Sequence, residues 1–136
     1  MKYEECDFDH DFIKPLIHIP DRPKQLWYRG TIPQRSSAPK VVSIVGARRC
    51  TPYGENIAYQ LAYNLAKLGV IVVSGLAYGI DTCAHRGCLD AGGVTVAVLG
   101  TPVNQIHPRS NYSLAQRILE KGAIISEYPI GAKTSA

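Results

Sequence analysis

Two consecutive arginines stand where the chain changes from a strand-like to a helix-like pattern. Arg48 and Arg49 follow residues 41–45, an apolar run typical of a strand buried on both faces. Apolar residues at helical spacing begin soon after them. The first turn of a helix presents unpaired backbone N–H groups and a partial positive charge, which attract anions. The sequence therefore predicts a phosphate-binding turn made by Gly46, Arg48, Arg49, Tyr53 and Gly54.

A second glycine-rich turn, S-G-L-A-Y-G at residues 74–79, follows another apolar run. Gly75 and Gly79 are expected to let the two turns pack closely, and the hydroxyl of Ser74 can donate to a phosphate. A third turn, S-E-Y-P, follows the apolar residues 123–125. Ligands of open α/β sheets bind beyond the carboxyl ends of the strands, so the three turns are expected to converge on one site.

Several polar residues around these turns are predicted to order the loops. Asp81 and His85 lie four residues apart on the helix predicted after the second turn, so a carboxylate–imidazole hydrogen bond is within reach. No nucleophile lies nearby in sequence, and we therefore favour a loop-ordering role over acid–base catalysis. The same role is predicted for Asn111, a candidate helix cap, and for Glu127 in the third turn. No catalytic residue is predicted.

The four cysteines indicate neither a metal site nor a disulfide framework. Cys83 and Cys88 are five residues apart and would lie on different faces of a helix, and no second pair of ligands follows. Neither a metal nor another cofactor is therefore predicted. Cys50 is different, because it lies beside two arginines and a helix start, where the thiolate is favoured.

Composition indicates a soluble globular domain of ordinary size. The 136 residues are 46% hydrophobic and 19% charged, and the formal net charge of +4 permits a polyanionic partner. No apolar run approaches membrane-spanning length, and the first residues do not form a signal peptide. Together with the cysteine pattern, these features predict a cytoplasmic protein with no membrane partner.

Apolar runs and amphipathic stretches alternate from residue 41 onwards. Doubly buried strands joined by helices predict an α/β fold with a doubly wound, mostly parallel Rossmann-like sheet. We expect helices on both faces of this sheet, with the four core strands in the order 3-2-1-4. The strands are predicted at residues 41–45, 70–73, 94–99 and 123–126.

These motifs resemble those of the DprA/Smf family, the DNA-processing protein A of natural transformation. The similarity includes V-S-I-V-G-A-R-R-C-T-P-Y-G, S-G-L-A-Y-G-I-D-T-C-A-H-R-G-C-L, H-P-R-S-N and S-E-Y-P, in the family's order. The resemblance implies a protein that binds single-stranded DNA and helps load a RecA-type recombinase onto it, without catalysis. It also implies that Arg48 lies in a basic pocket that takes backbone phosphate. The alternative for such an arginine is an ion pair with a carboxylate.

Aromatic residues accompany the predicted phosphate site. Proteins that bind single strands combine a positive groove with side chains on which bases stack. Tyr53, Tyr78 and Tyr128 lie beside the expected pocket, where each is as well suited to packing as to stacking.

The sequence also departs from this family. A typical member continues beyond S-E-Y-P with further β and α elements, so the domain is predicted to be truncated after the fourth core strand. We therefore expect residues 123–126 to present a free sheet edge that favours self-association. Before the domain, residues 1–40 are predicted to form a proline-rich lead with a short edge strand at residues 26–30, and residues 41–136 form the DNA-binding domain.

Other functions are weighed against this one. A dinucleotide-binding enzyme is not supported, because G-x-G-x-x-G after the first strand and an acidic residue after the second are both missing. Related Rossmann-type proteins hydrolyse nucleoside monophosphates, and this alternative stays open although their P-G-G-x-G-T-x-x-E motif is absent. An inactive fragment is the other open alternative.

Overall fold

The computed structural model describes residues 1–38 and 40–134. It contains a mixed six-stranded sheet and three α-helices, with short 3-10 helices in the connections. The predicted α/β class and the mostly parallel, Rossmann-like sheet are confirmed. The strands are β1 (Glu4–Glu5), β2 (Trp27–Gly30), β3 (Val41–Ser43), β4 (Ile71–Ser74), β5 (Thr95–Leu99) and β6 (Ala123–Ser126). The helices are α1 (Pro52–Lys67), α2 (Ile80–Asp90) and α3 (Tyr112–Leu119).

The four core strands β3, β4, β5 and β6 are parallel and adjacent in chain order. The predicted order 3-2-1-4 is therefore wrong, since β6 pairs with β5 and not with β3. Apolar runs show that a strand is buried, but they carry no signal for which strand lies beside it. Successive right-handed crossovers in one direction place every connecting helix on the same face. The predicted helices on both faces are accordingly wrong for the described residues.

The helix layer packs on the sheet through mainly small and branched apolar side chains. Ala62 and Ala66 of α1 pack with Val72 of β4. Ile118 of α3 packs with Ile124 of β6. All five side chains are buried, which stabilises the fold by the hydrophobic effect. None of the helices in the described residues is long and apolar enough to cross a membrane.

The opposite face of the sheet is covered by the N-terminal segment. Phe12, Ile13 and Leu26 are buried there, in one cluster with Val96 of β5 and Ile125 of β6. This cover is incomplete, because a groove of about 460 Å³ stays open between the segment and the sheet. The two faces therefore differ, with the three α-helices on one and the N-terminal segment, which includes the 3-10 helix Lys14–His18, on the other.

The strand predicted at residues 26–30 is present as β2, but it does not lie at the sheet edge. It runs antiparallel between β1 and β6, with Tyr28 opposite Ile125 and Gly30 opposite Ala123. The free edge predicted at β6 is therefore wrong, because β2 pairs with it. Within the described residues the sheet ends at β1 and at β3. The division at residue 40 stays a prediction, with strands on both sides of it in one sheet.

Candidate nucleic-acid interface

A cavity of about 160 Å³ lies at the carboxyl ends of β4 and β5, beside the turn that follows β3. This is the edge of the sheet where ligands of open α/β folds bind. The turns after β4 and β5 and a later loop form its walls. Its lining residues are Arg48, Gly75, Ala77, Tyr78, Leu99, Gly100, Thr101, His107 and Pro108.

Arg48 brings a guanidinium to this cavity from an exposed turn. Within residues 1–38 and 40–134, the ion pairs join His10 to Asp11 and Arg117 to Asp90. Arg48 therefore does not form the alternative ion pair with a carboxylate in this part of the chain. Its N–H donors are placed beside a concave surface, where a planar guanidinium suits a phosphate.

The other contacts predicted in this turn lie outside the cavity lining. Arg49 is exposed, and so is Tyr53, at 75%. The N–H of Gly54 donates to the hydroxyl of Thr51 at 3.0 Å, which makes Thr51 the N-cap of α1. Glu55 adds a carboxylate to the same turn. The predicted anion site at this helix end is thus largely satisfied by the protein's own groups.

The turn after β4 has an uncommon backbone conformation at Leu76. This buried residue has a φ of 63°, which costs a residue with a side chain about 1–2 kcal/mol. Its N–H donates to Nε2 of His85 at 3.2 Å, and its carbonyl accepts from Nδ2 of Asn111 at 2.9 Å. Asn111 also donates to the hydroxyl of Thr82 at 2.9 Å. Two buried side chains thus hold the turn from both sides, as a loop-ordering role requires.

Asp81 ties this turn to the one that contains Arg48. Its Oδ1 accepts from the N–H of Gly46 at 3.3 Å, and its Oδ2 accepts from the N–H of Gly75 at 3.0 Å. The hydrogen bond considered between Asp81 and His85 does not form. Both carboxylate oxygens already accept from the backbone, and both ring nitrogens of His85 have other partners.

Gly79 brings the backbones of the two turns into contact. Its φ is +79°, a conformation that favours glycine. A Cβ at this position would overlap the carbonyl oxygens of Ala47 and Arg48. Beside it, the N–H of Ile80 donates to the carbonyl of Ala47 at 3.3 Å. The backbone of Arg48 is therefore fixed against the second turn, while the residue as a whole is exposed and lines the cavity.

His85 is fully buried and neutral. Because Nε2 accepts from the N–H of Leu76, Nδ1 carries the proton and donates to Oγ1 of Thr95 at 2.8 Å. Thr95 in turn donates to the carbonyl of Val72 at 2.7 Å. Burial lowers the pKa of this imidazole to about 3, because the charged form loses its hydration in the interior. A neutral, enclosed imidazole is suited to ordering the fold and not to proton transfer with a ligand.

Two predictions about single side chains are wrong. Ser74 is buried and its hydroxyl donates to the carbonyl of Ile44 at 2.6 Å, so it does not face a phosphate. The pKa of the Cys50 thiol is raised, first by partial burial and then by the nearby carboxylate of Glu55. The thiolate is therefore disfavoured, in spite of the two arginines that precede it.

The remaining cysteines do not form a metal centre. Cys83 and Cys88 are free thiols, and burial raises the pKa of Cys88 to about 11. Among residues 1–38 and 40–134, no group of three or more His, Cys, Asp or Glu side chains is arranged to hold a metal ion.

The third turn contributes less to the cavity than the sequence predicts. Tyr78 lines the cavity and is 51% exposed, whereas Tyr128 and Glu127 after β6 are absent from its described lining. Glu127 borders the groove on the other face instead. Sequence reasoning missed Thr101 and His107, which do line the cavity. The motif H-P-R-S-N contained the signal for His107, but its distance from the glycine-rich turns obscured it.

Comparison with known proteins places this geometry in a family. The chain matches the family described as DNA recombination-mediator protein A over residues 6–136. It belongs to this family. Protein Smf of Synechocystis sp. is 42% identical over 127 residues, which are 92% of this chain and 32% of that protein. The putative DNA processing protein DprA of Mycobacterium tuberculosis is 43% identical over 111 residues, which are 82% of this chain and 28% of that protein.

Solved structures of the family share the fold described above. The X-ray structure of DNA processing protein A from Streptococcus pneumoniae has a TM-score of 0.82 and 34% identity, covering 97% of this chain and 46% of that chain. A structure that concerns the single-stranded DNA binding mode of DNA processing protein A from Helicobacter pylori has a TM-score of 0.80 and 30% identity. The match covers 98% of this chain and 59% of that chain. The resemblance predicted from the motifs is confirmed. The chain spans about a third of the curated relatives' length.

Proposed function

We propose that this protein binds single-stranded DNA through the phosphate backbone, at the cavity beside Arg48, as part of DNA processing. The observation that carries the proposal is Arg48 itself, an exposed guanidinium at the carboxyl ends of parallel strands with no carboxylate partner in the described residues. The DNA-binding H. pylori relative, with the same fold over 98% of this chain, supports the nature of the ligand.

The cavity suits a backbone phosphate flanked by an unstacked base. Arg48 supplies the charge, and at Gly100, where an added Cβ would meet nothing within 4 Å, the wall carries no side chain, so the DNA strand can approach the backbone. Tyr78 is half exposed at the rim and offers its ring to a base. Contacts to phosphate carry no sequence information, and we therefore expect little sequence preference.

A fuller role follows from the family resemblance. We include in the proposal that DNA bound here is passed to a RecA-type recombinase and that no catalysis occurs. The described lining of the cavity has a histidine and a tyrosine but no carboxylate, which disfavours an acid–base pair. Release of free base from nucleoside monophosphates would identify the hydrolase alternative instead. Recombinase filament assembly on protein-coated single strands tests the loading step.

Fluorescence anisotropy with labelled oligonucleotides across a salt series tests the binding site. Arg48→Ala should weaken binding to single strands by roughly 1–3 kcal/mol, because a charge-assisted phosphate contact is lost. The slope of log K against log salt should fall by about 0.7, the value for one phosphate contact on a single strand. Lys121→Ala is the matched control, since it removes one charge at the opposite end of the strands, where Lys121 donates to the carbonyl of Gly92.

Three results would contradict the proposal. Equal or tighter binding to duplex would remove the preference for single strands. A loss of affinity in Lys121→Ala equal to that in Arg48→Ala would indicate a diffuse charge effect and no site. No binding at low salt would favour the inactive fragment.

A further inference from the structure

His107 borders the same cavity as Arg48 but belongs to a different loop, the one that follows β5. The residue is exposed, and among residues 1–38 and 40–134 its side chain makes no hydrogen bond or ion pair. A neutral imidazole has one N–H donor, and both ring nitrogens are donors when the ring is protonated. The side chain of His107 is therefore available to a ligand in the cavity.

The loop is fixed on either side of His107. Before it, the hydroxyl of Thr101 donates to the carbonyl of Gln105 at 2.7 Å, which closes the turn after β5. After it, Pro108 is fully buried, and its carbonyl accepts from the N–H of Asn111 at 3.0 Å. Asn111 is bonded in turn to the turn after β4. The backbone of His107 is thus positioned by the contacts that order the cavity, so little backbone entropy is lost when a ligand binds.

The charged groups around this loop are cationic. Arg48 borders the cavity from the turn after β3, and the uncharged phenol of Tyr78 borders it from the turn after β4. Arg109 is exposed two residues further along the loop. Arg29 of β2 packs on the same loop and donates to the carbonyl of Val103 at 3.1 Å. The described lining of the cavity contains no carboxylate, so these groups favour an anionic ligand.

Two titratable side chains of α2 lie behind the neighbouring turns. Asp81 is buried, and both of its carboxylate oxygens accept from backbone N–H groups of these turns. His85 is fully buried, and burial lowers its pKa to about 3, so its ring stays neutral in the folded protein at pH 5 and above. Imidazole is the side chain that ordinarily gains its charge between about pH 8 and 5. Within the described lining of the cavity, His107 is the residue with this chemistry.

We propose that His107 is a second phosphate-binding side chain of this cavity and that single-stranded DNA binds more tightly when its imidazole is protonated. The inference rests on the proposed function and concerns the same site. A phosphodiester has two non-bridging oxygens, so Arg48 and His107 can each donate to one of them. The imidazolium adds a positive charge to its hydrogen bond, and charge-assisted hydrogen bonds are about twice as strong as neutral ones. Because a bound phosphate favours the charged ring, DNA binding takes up a proton and the affinity rises as the pH falls.

Fluorescence anisotropy with an oligothymidylate at pH 8 and pH 5.5 tests this inference, because neither phosphodiesters nor thymine change charge in this range. The unaltered protein should bind at least about threefold more tightly at pH 5.5. The slope of log K against log salt should be steeper there by up to about 0.7, the value for one more phosphate contact on a single strand. His107→Gln keeps an N–H donor but cannot gain a charge, so it should lose both changes. His18→Gln is the matched control and should keep them, because His18 is exposed in the N-terminal segment and absent from the described lining.

His107→Lys is a second variant, charged at both pH values, and it should bind without a gain on acidification. It decides the question if circular dichroism shows that His107→Gln does not fold. The inference is overturned if the gain at pH 5.5 persists in either folded variant, or if His18→Gln loses the gain as well. If Arg48→Ala binds as tightly as the unaltered protein at both pH values, the proposed site fails and this inference fails with it. A loss of affinity in Arg48→Ala, together with an unchanged pH effect in His107→Gln, would overturn this inference alone.

Discussion

The two turns that meet at the cavity are held in different ways. The turn after β4 is enclosed by buried polar side chains, with Leu76 bonded to His85 on one side and to Asn111 on the other. The turn after β3 is exposed and touches its neighbour through the backbone groups of Gly46 and Ala47. The first turn is held from the interior through the buried Leu76, and the second is a surface segment anchored to it.

This difference separates stability from binding. The polar groups of His85 and Asn111 are used on Leu76 and are not available to a ligand, whereas Arg48 makes no ion pair within the described residues. We expect substitutions of the residues that hold the turn after β4 to lower the free energy of unfolding. Substitution of Arg48 should lower DNA affinity alone.

Gly79→Ala should destabilise the protein most, by about 3 kcal/mol, because strain at positive φ and a clash with two carbonyl groups add together. Gly92→Ala is the matched control, since Gly92 also has a φ of +79° but an added Cβ meets nothing within 4 Å. Urea denaturation of both variants measures the difference. Equal losses would mean that contact between the two turns contributes nothing.

Asn111→Ala should cost about 2 kcal/mol, because the buried carbonyl of Leu76 loses its donor. Asn104→Ala, at an exposed asparagine in the preceding loop, should change the free energy of unfolding by less than about 0.5 kcal/mol. If thermal denaturation shows that Asn111→Ala and Asn104→Ala are equally stable, the hydrogen bond from Asn111 does not stabilise the turn after β4.

Acid should destabilise the enclosed turn through His85. The unfolded chain protonates this imidazole below pH 6.5, its ordinary pKa, whereas the folded protein does so only near its pKa of about 3. Protons therefore favour the unfolded state between these values, and the free energy of unfolding should fall by up to about 1.4 kcal/mol per pH unit. Denaturation between pH 6.5 and 4.5 measures the slope, which His85→Gln should remove. An unchanged slope would assign the acid sensitivity to other groups.

Arg48→Ala should change the free energy of unfolding least, by less than about 0.5 kcal/mol, because an exposed side chain without an ion pair contributes little to folding. Its effect should be on DNA affinity, as proposed above. A large drop in the melting temperature of Arg48→Ala would show that the turn after β3 contributes to stability as the turn after β4 does.

Local patterns predicted the elements of this fold well. The apolar runs located the four core strands, and helical periodicity located α1 and α2, because each signal depends on residues that are close in sequence. The start of α1 is also predictable from local sequence. Thr51 followed by proline is a cap followed by a residue suited to the first helical turn, and the structure uses it so.

Features that depend on distant residues were not predictable in this way. The hydroxyl of Ser74 does not face the site, because it donates to the carbonyl of Ile44, thirty positions earlier in the chain. The edge of β6 is covered by β2, and this pairing cannot be predicted from the sequence pattern of either strand. The role of Arg48 was inferred from motifs, and the structure adds its place at the cavity.

The position of β2 has a consequence for the order in which the chain assembles during synthesis. β2 is synthesised before the core strands β3, β4 and β5, whereas its partner β6, with which it pairs over all four of its residues, is synthesised after them. Until β6 emerges, Trp27–Gly30 pairs only with the two residues of β1. The intervening chain must first be ordered to bring these strands together, and contacts of such sequence separation form slowly. We therefore expect the N-terminal segment of a nascent chain to stay accessible to proteases and chaperones until β6 has joined the sheet.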